Sequence, residues 1–171
     1  IPALPLPGAV LLRIGNTPLA SVGRRARPVQ AAQRRSDRRP LKIALLVPFH
    51  GADAIWGPSC QYSAVLAAAE INAAGGILGR QVELLAADAG GDPAEVEARV
   101  REMIDTHAPE VLIGVHLSSV RERLSRAFGD ALPYIFTPIY EGGDLNRGTF
   151  AIGETPWNQL AGPVDHLIRS H

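Results

Sequence analysis

Only one cysteine, Cys60, stands in the 171 residues. That excludes an intrachain disulfide and any metal site built from several thiolates. It neither argues for an oxidising compartment nor against one. Aromatic residues make up 5% of the chain against an apolar share of 46%, so the core must be built mostly from Ala, Val, Leu and Ile. No apolar run approaches the roughly 20 residues that would cross a bilayer, so membrane insertion is not expected. Net charge is missing too, since 17 basic residues balance 17 acidic ones.

That balance hides a division. Residues 1–40 hold eight Arg and a single Asp, while the remainder holds nine Lys or Arg against sixteen acids. So sharp a split marks two kinds of segment. The first is rich in Pro and Arg and shows no sustained apolar period. It cannot bury enough surface to offset ordering entropy. Residues 1–40 are therefore expected to be a disordered tail or linker, with an arm for nucleic acid or anionic lipid as the lesser reading. Its charge follows Leu11 and Leu12 rather than preceding them, unlike a signal peptide. The chain begins at Ile1 rather than Met, which suggests a fragment.

From Leu41 the pattern changes. Residues 42–48 form a short continuous apolar run, the mark of a buried parallel strand. Pro58 opens a helix with a predicted stripe of Tyr62, Val65, Leu66 and Ala69, stopped by Gly75 and Gly76. Residues 81–87 read as a second strand. Asp92, Pro93 and Glu95 form a capping box ahead of a helix that should bury Val96, Val100, Met103 and Ile104. Strands follow over 110–114, 133–137 and 149–152. Ser119 and Glu122 read as a second capping box, ahead of a stripe of Val120, Leu124, Ala127 and Phe128. Thr155 and Pro156 open a last helix with Leu160, Val164, Leu167 and Ile168 on one side, kinked at Pro163.

Strand and helix alternating with short links demand an α/β fold, a doubly wound parallel sheet with helices on both faces. Ligands bind such sheets beyond the carboxyl ends of the strands. Those ends are the loops over residues 50–57, 88–92, 115–119 and 138–143. Asp88 and Asp92 flank Gly90 and Gly91 there, but their spacing fits no recognised calcium loop. Catalytic signatures are lacking. No Gly-x-Gly-x-x-Gly follows a strand, and there is no P-loop, His-Glu-x-x-His or Gly-x-Ser-x-Gly. His116 lies near Ser118, but neighbouring loop residues rarely reach triad geometry and no orienting acid is identifiable. No catalytic residue, metal or cofactor is expected. Beyond residue 40 the chain is too acidic for a nucleic-acid surface.

Several segments, in order, resemble one family. EINAAGGILGR over residues 70–80 resembles a stretch of the type I periplasmic-binding-protein-like receptors for branched-chain amino acids, amides and urea. TPIYEG over 137–142, and GETP followed by Asn158 and Gln159, resemble the amide- and urea-binding branch. The resemblance runs from Leu41 to about His171. It implies two α/β lobes hinged about a ligand cleft, of which residues 41–171 would form the N-terminal ligand-binding lobe with the second lobe absent. With half the ligand contacts gone, such a chain would bind weakly, and it could not switch, because closure of one lobe on the other is what a partner reads.

The resemblance also implies a site. Trp56 stands where the family has an aromatic against the ligand. Ser118 matches a Ser whose hydroxyl and amide hold the ligand's polar head, with Ser119 second and better read as the cap of the following helix. His116 stands where the amide branch places an aromatic, and reads equally as a satisfied packing residue. Tyr140 and Glu141 replace the small residues of amino-acid binders, which favours an amide or urea. Glu141 reads equally as a ligand contact or a loop brace, and Phe136 as a cleft or core residue. The expected function is binding of a small polar solute (short amide, urea or amino acid) for an ABC-type transporter, in a periplasmic or extracytoplasmic setting, with transporter membrane subunits as partners. The alternative is a cytoplasmic amide sensor acting on gene expression or a regulatory protein.

Overall fold

A computed structural model of the chain describes residues 39–143 and 145–170. The tail expected over residues 1–40 therefore lies outside the described residues, apart from Arg39 and Pro40, as do Asp144 and His171.

The elements alternate as the apolar runs dictate. β1 (Leu41–Val47) leads to α1 (Gly57–Ala73), then β2 (Val82–Asp88) and α2 (Pro93–His107). β3 (Val111–Gly114), α3 (Ser118–Phe128), β4 (Tyr134–Phe136), β5 (Thr149–Ala151) and α4 (Pro156–Ser170) complete the chain. All strand pairs are parallel, in the order β2-β1-β3-β4-β5. The chain leaves β1 in one direction and returns across it to β3. The order therefore reverses between β1 and β3, and a crevice opens at their carboxyl ends.

Side-chain alternation divides the core into two layers. Ala44 and Leu46 of β1 with Leu85 and Ala87 of β2 face a cluster made with α2 and α3, including Val96, Val100, Met103, Val120, Leu124 and Phe128. Ile43, Val82 and Leu84 face the other way, where Ala68, Ala64 and Val65 of α1 cover them. Helices thus lie on both faces, two on one and one on the other.

α2 follows the expected pattern at Asp92 and Pro93 and in its buried face, whereas Glu95 lies beside Arg99 and does not complete the capping box. The Asp92 carboxylate accepts from the Ala94 amide at 2.7 Å and Pro93 occupies the first turn. Asp92→Ala should therefore cost about 1 kcal/mol, read as a lower urea midpoint with an unchanged slope. An unchanged midpoint would show that water caps the helix equally well.

Three details differ from expectation. In α1 the predicted stripe is rotated. Tyr62 and Leu66 are exposed, and the face on the sheet is Gly57, Ala64, Val65 and Ala68. The cause is the run of alanines, which offers several apolar stripes; the one that lets the helix lie close to the strands wins. A Cβ on Gly57 would collide with the Pro48 carbonyl, so that glycine sets the approach. In α3 the helix starts at Ser118 with Leu117 at the cap and no side-chain cap bond, so the Ser119 box does not form. In α4 the expected core stripe Leu160, Val164, Leu167 and Ile168 is exposed, and the helix buries no residue. It is amphipathic and carries Pro163 within its length.

The EINAAGGILGR stretch builds the sheet's amino edge. The Asn72 side chain accepts from the Val82 amide at 2.7 Å and donates to the Val82 carbonyl at 2.9 Å. Arg80 donates to the carbonyls of Arg39 and Pro40, both at 2.9 Å, and pairs with Glu110. These bonds tie the end of α1 and the loop after it to the amino ends of β1, β2 and β3, at the end of the sheet opposite the crevice.

Candidate functional site

A cleft of about 470 Å³ lies at the reversal point. From the β1 side it is lined by Pro48, Asp53, Trp56 and Cys60. From the β3 side come Val115, His116, Leu117 and Ser118, and from the β4 side Thr137, Pro138 and Ile139. Three of the four loops expected to carry function meet here. The fourth, after β2, acts as a brace. Asp88 accepts from the amides of Phe49 and Gly90, both at 2.8 Å, and its other oxygen lies 2.5 Å from His50 Nδ1. Burial pushes the Asp88 carboxyl up, but those two amides and the His50 ring outweigh it and hold it below the ordinary value. The β1 loop is thereby pinned beside the cleft.

Of the residues expected to bind ligand, Trp56, His116 and Ser118 are on the cleft wall, and Ser119, Tyr140 and Glu141 are not among the lining residues. Trp56 is 61% exposed at the start of α1, a broad apolar surface at small rotamer cost.

His116 is buried against Tyr134 and Phe136. The Tyr134 hydroxyl lies 2.8 Å from Nε2 and the Leu117 carbonyl 3.1 Å from Nδ1. A carbonyl only accepts, so Nδ1 carries the proton and Tyr134 donates to Nε2. Both ring nitrogens are then occupied within the protein. Burial is the main reason the imidazole is pushed down to about 4, with the nearby Arg121 charge adding to it against the Leu117 carbonyl. Burial likewise pushes the Tyr134 phenol up. The pair is neutral across the physiological range. A Cβ on Gly114 would strike this imidazole, so the end of β3 is glycine for space.

Behind the wall lies a feature that periodicity did not signal. Arg121 is buried on α3. Its guanidinium carbon sits 5.2 Å from the Phe136 ring centroid and 5.9 Å from that of Tyr140. Nη1 is 3.0 Å from Glu141 Oε2, close enough for strong attraction though not aligned as a directed hydrogen bond. Glu141 also takes a hydrogen bond from Ser118, the largest influence holding its carboxyl below the usual range, followed by its own amide. Tyr140 and Glu141 thus hold the N-terminus of α3 to the β4 loop.

Asp53, Cys60 and the stretch 137–139 were not singled out as ligand contacts from the sequence. For Asp53 and 137–139 the signal was position alone, at carboxyl ends of strands; Cys60 lies in the first turn of α1. Arg121 was missed because an arginine on a helix is ordinarily solvated; two rings from β4 and the following loop bury it here.

Comparison with known proteins gives a consistent picture. A sequence profile of the family described as periplasmic binding protein matches residues 40–171. An amino acid binding protein of Pseudomonas aeruginosa is 31% identical over 96 residues, 56% of this chain and 26% of that protein. A Silicibacter pomeroyi crystal structure assigned to branched-chain amino acid ABC transport is 30% identical, with a TM-score of 0.50 over 57% of this chain and 25% of that one. An amino acid ABC transporter substrate-binding protein of Pseudomonas fluorescens shares the fold at a TM-score of 0.56 and 23% identity, over 65% of this chain and 30% of its own. The chain thus spans about a quarter of the length of the first two relatives.

Proposed function

The chain belongs to the periplasmic binding protein family, and from that premise we propose that it binds a small polar solute, a short amide, urea or an amino acid, as part of the substrate-binding component of an ABC-type transporter. The observation that carries this reading is the cleft at the sheet's reversal point. Its walls are mostly apolar, with Trp56 on one side and the N-terminus of α3 on the other. The first amides of α3, those of Ser118 and Ser119, have no carbonyl ahead of them within the helix. They suit a carboxylate or carbonyl oxygen, aided by the helix dipole. Trp56 supplies the apolar floor.

Family and cleft support an amino acid as readily as an amide, because the P. aeruginosa relative is an amino acid binding protein while the TPIYEG stretch favours the amide branch. Tyr140 and Glu141 engage Arg121, so they bear on ligand choice only through the loop they hold. Membrane subunits of a transporter and an extracytoplasmic setting go with the same reading.

The test is calorimetric titration of acetamide, urea and leucine into the chain, with alkylation of Cys60 by iodoacetamide as a second readout of cleft occupancy. At least one solute should bind and slow the alkylation. Trp56→Ala, which removes the apolar floor, should weaken that binding about tenfold, equivalent to about 1.4 kcal/mol of lost apolar contact. A folded chain that binds none of the three, with Cys60 reacting at an unchanged rate, would overturn the proposal.

A further inference from the structure

Asp53 is the one cleft-wall residue whose side chain carries a formal charge at neutral pH, since His116 is held neutral and no Lys or Arg lines the space. Its surroundings do not use that charge. Asp is among the best capping residues, and Asp53 stands at the cap position of the short turn Ala54–Trp56. Yet at φ −101 and ψ 4 its carboxylate makes no cap bond, and the turn closes instead through the Asp53 carbonyl and the Trp56 amide at 3.1 Å. Oδ2 is shielded from bulk solvent and has no hydrogen-bond partner among the described residues. The Arg121 guanidinium is committed to Glu141 and to two aromatic rings, and does not line the cleft.

An ionised oxygen out of bulk water and without a donor is unfavourable unless something supplies one. Low-dielectric walls, here Trp56, Leu117 and Ile139, strengthen the field of the charge within the space. At the opposite wall the α3 amides present the reverse polarity. The cleft is therefore dipolar, negative at Asp53 and positive at Ser118.

We propose that Asp53 is a specificity-determining residue that selects ligands bearing a cationic nitrogen, an ammonium or guanidinium, whose N–H groups its carboxylate accepts. The ligand's carboxylate or carbonyl oxygen lies at the α3 amides, and its apolar body rests on Trp56. The terminal torsion of an aspartate is broad, so a small rotation presents Oδ2 to the ligand. This inference rests on the solute-binding reading above and deepens it, favouring an amino acid over a neutral amide.

Two matched pairs test it in the full chain: leucine against 4-methylpentanoate, and 5-aminopentanoate against pentanoate. Each pair differs only by an ammonium, on the α-carbon in one and at the chain end in the other. At least one ammonium form should bind about tenfold more tightly than its partner, the scale of one charge-assisted hydrogen bond. Asp53→Asn, which keeps the shape, should reduce that ratio to about one while leaving the ammonium-free acid within about twofold. Equal affinities within both pairs of the unaltered chain would overturn the inference, as would a preference that survives Asp53→Asn. If acetamide or urea binds and neither pair shows the preference, the inference falls and the solute-binding reading stands. If no probe binds, both fall.

Discussion

Phe136→Ala is expected to lower the unfolding free energy by about 3–5 kcal/mol, the range for deleting a fully buried aromatic side chain. Phe136 is wholly buried at the end of β4, in the larger core layer. The loss has three parts. The apolar surface of the ring no longer leaves water on folding. A cavity remains, because β4 is held by β3 on one side and β5 on the other and cannot close inward freely. The ring also supports two polar groups, the His116 imidazole at 5.4 Å between centroids and the Arg121 guanidinium. Arg121 would then lose one of its two ring contacts and keep Tyr140 and the Glu141 carboxylate. Against a typical domain stability of about 5–15 kcal/mol, such a loss leaves a chain that unfolds early in urea. Phe136→Leu, which retains most of the volume, should cost less, below about 1.5 kcal/mol if repacking succeeds. Equilibrium urea unfolding reads both. A loss under about 1 kcal/mol for the alanine variant would mean that the β4 end is not part of the rigid core.

The second large effect is a loss of stability in mild acid that depends on His116. Unfolded, its imidazole titrates near 6.5; folded, burial holds it down to about 4. Between those values the unfolded chain binds the extra proton and the folded chain does not. Stability therefore rises with pH across this window. The contribution is complete above pH 6.5 and is lost as the pH falls towards 4, by about 3 kcal/mol for a shift of this size. His116→Gln can still accept from the Tyr134 hydroxyl but does not titrate. Its unfolding free energy should be flatter than the parent's between pH 7 and 4 by about that amount, as measured by urea unfolding at both ends. Equal pH dependence in the two proteins would show that the imidazole charges without unfolding, by swinging into the cleft. Carboxylates held low, Asp88 and Glu141 among them, begin to lose their contribution as the pH falls to the ordinary carboxylate range, but they do so in both proteins and cancel in the comparison.

These two residues also show where a sequence stops being informative. His116 stood equally as a ligand contact and a packing residue, and Phe136 equally as cleft and core. Strand alternation alone cannot tell which face of β4 meets α3. The parallel sheet, the order of its elements and the loops that gather at the cleft followed from short apolar runs, capping residues and the handedness of crossovers, all of which act locally. The helices α2 and α3 showed their buried faces for the same reason: their apolar residues form a single stripe. α1 did not, because its alanines permit several stripes and only contact with β1 and β2 chooses among them. The ordered motif EINAAGGILGR marked the family correctly, yet its Asn72 and Arg80 hold the amino edge of the sheet and carry no part of the cleft. What only tertiary structure decided are the long-range pairings, His116 with Tyr134 and Arg121 between two rings and beside Glu141, and the place of Asp53 on the cleft wall without capping its own turn. A residue's charge and size are written in the sequence. Whether that charge meets water, a counter-ion or an open cleft depends on neighbours that the chain brings together from 15 or more positions away, and the side chain's role is settled by that environment.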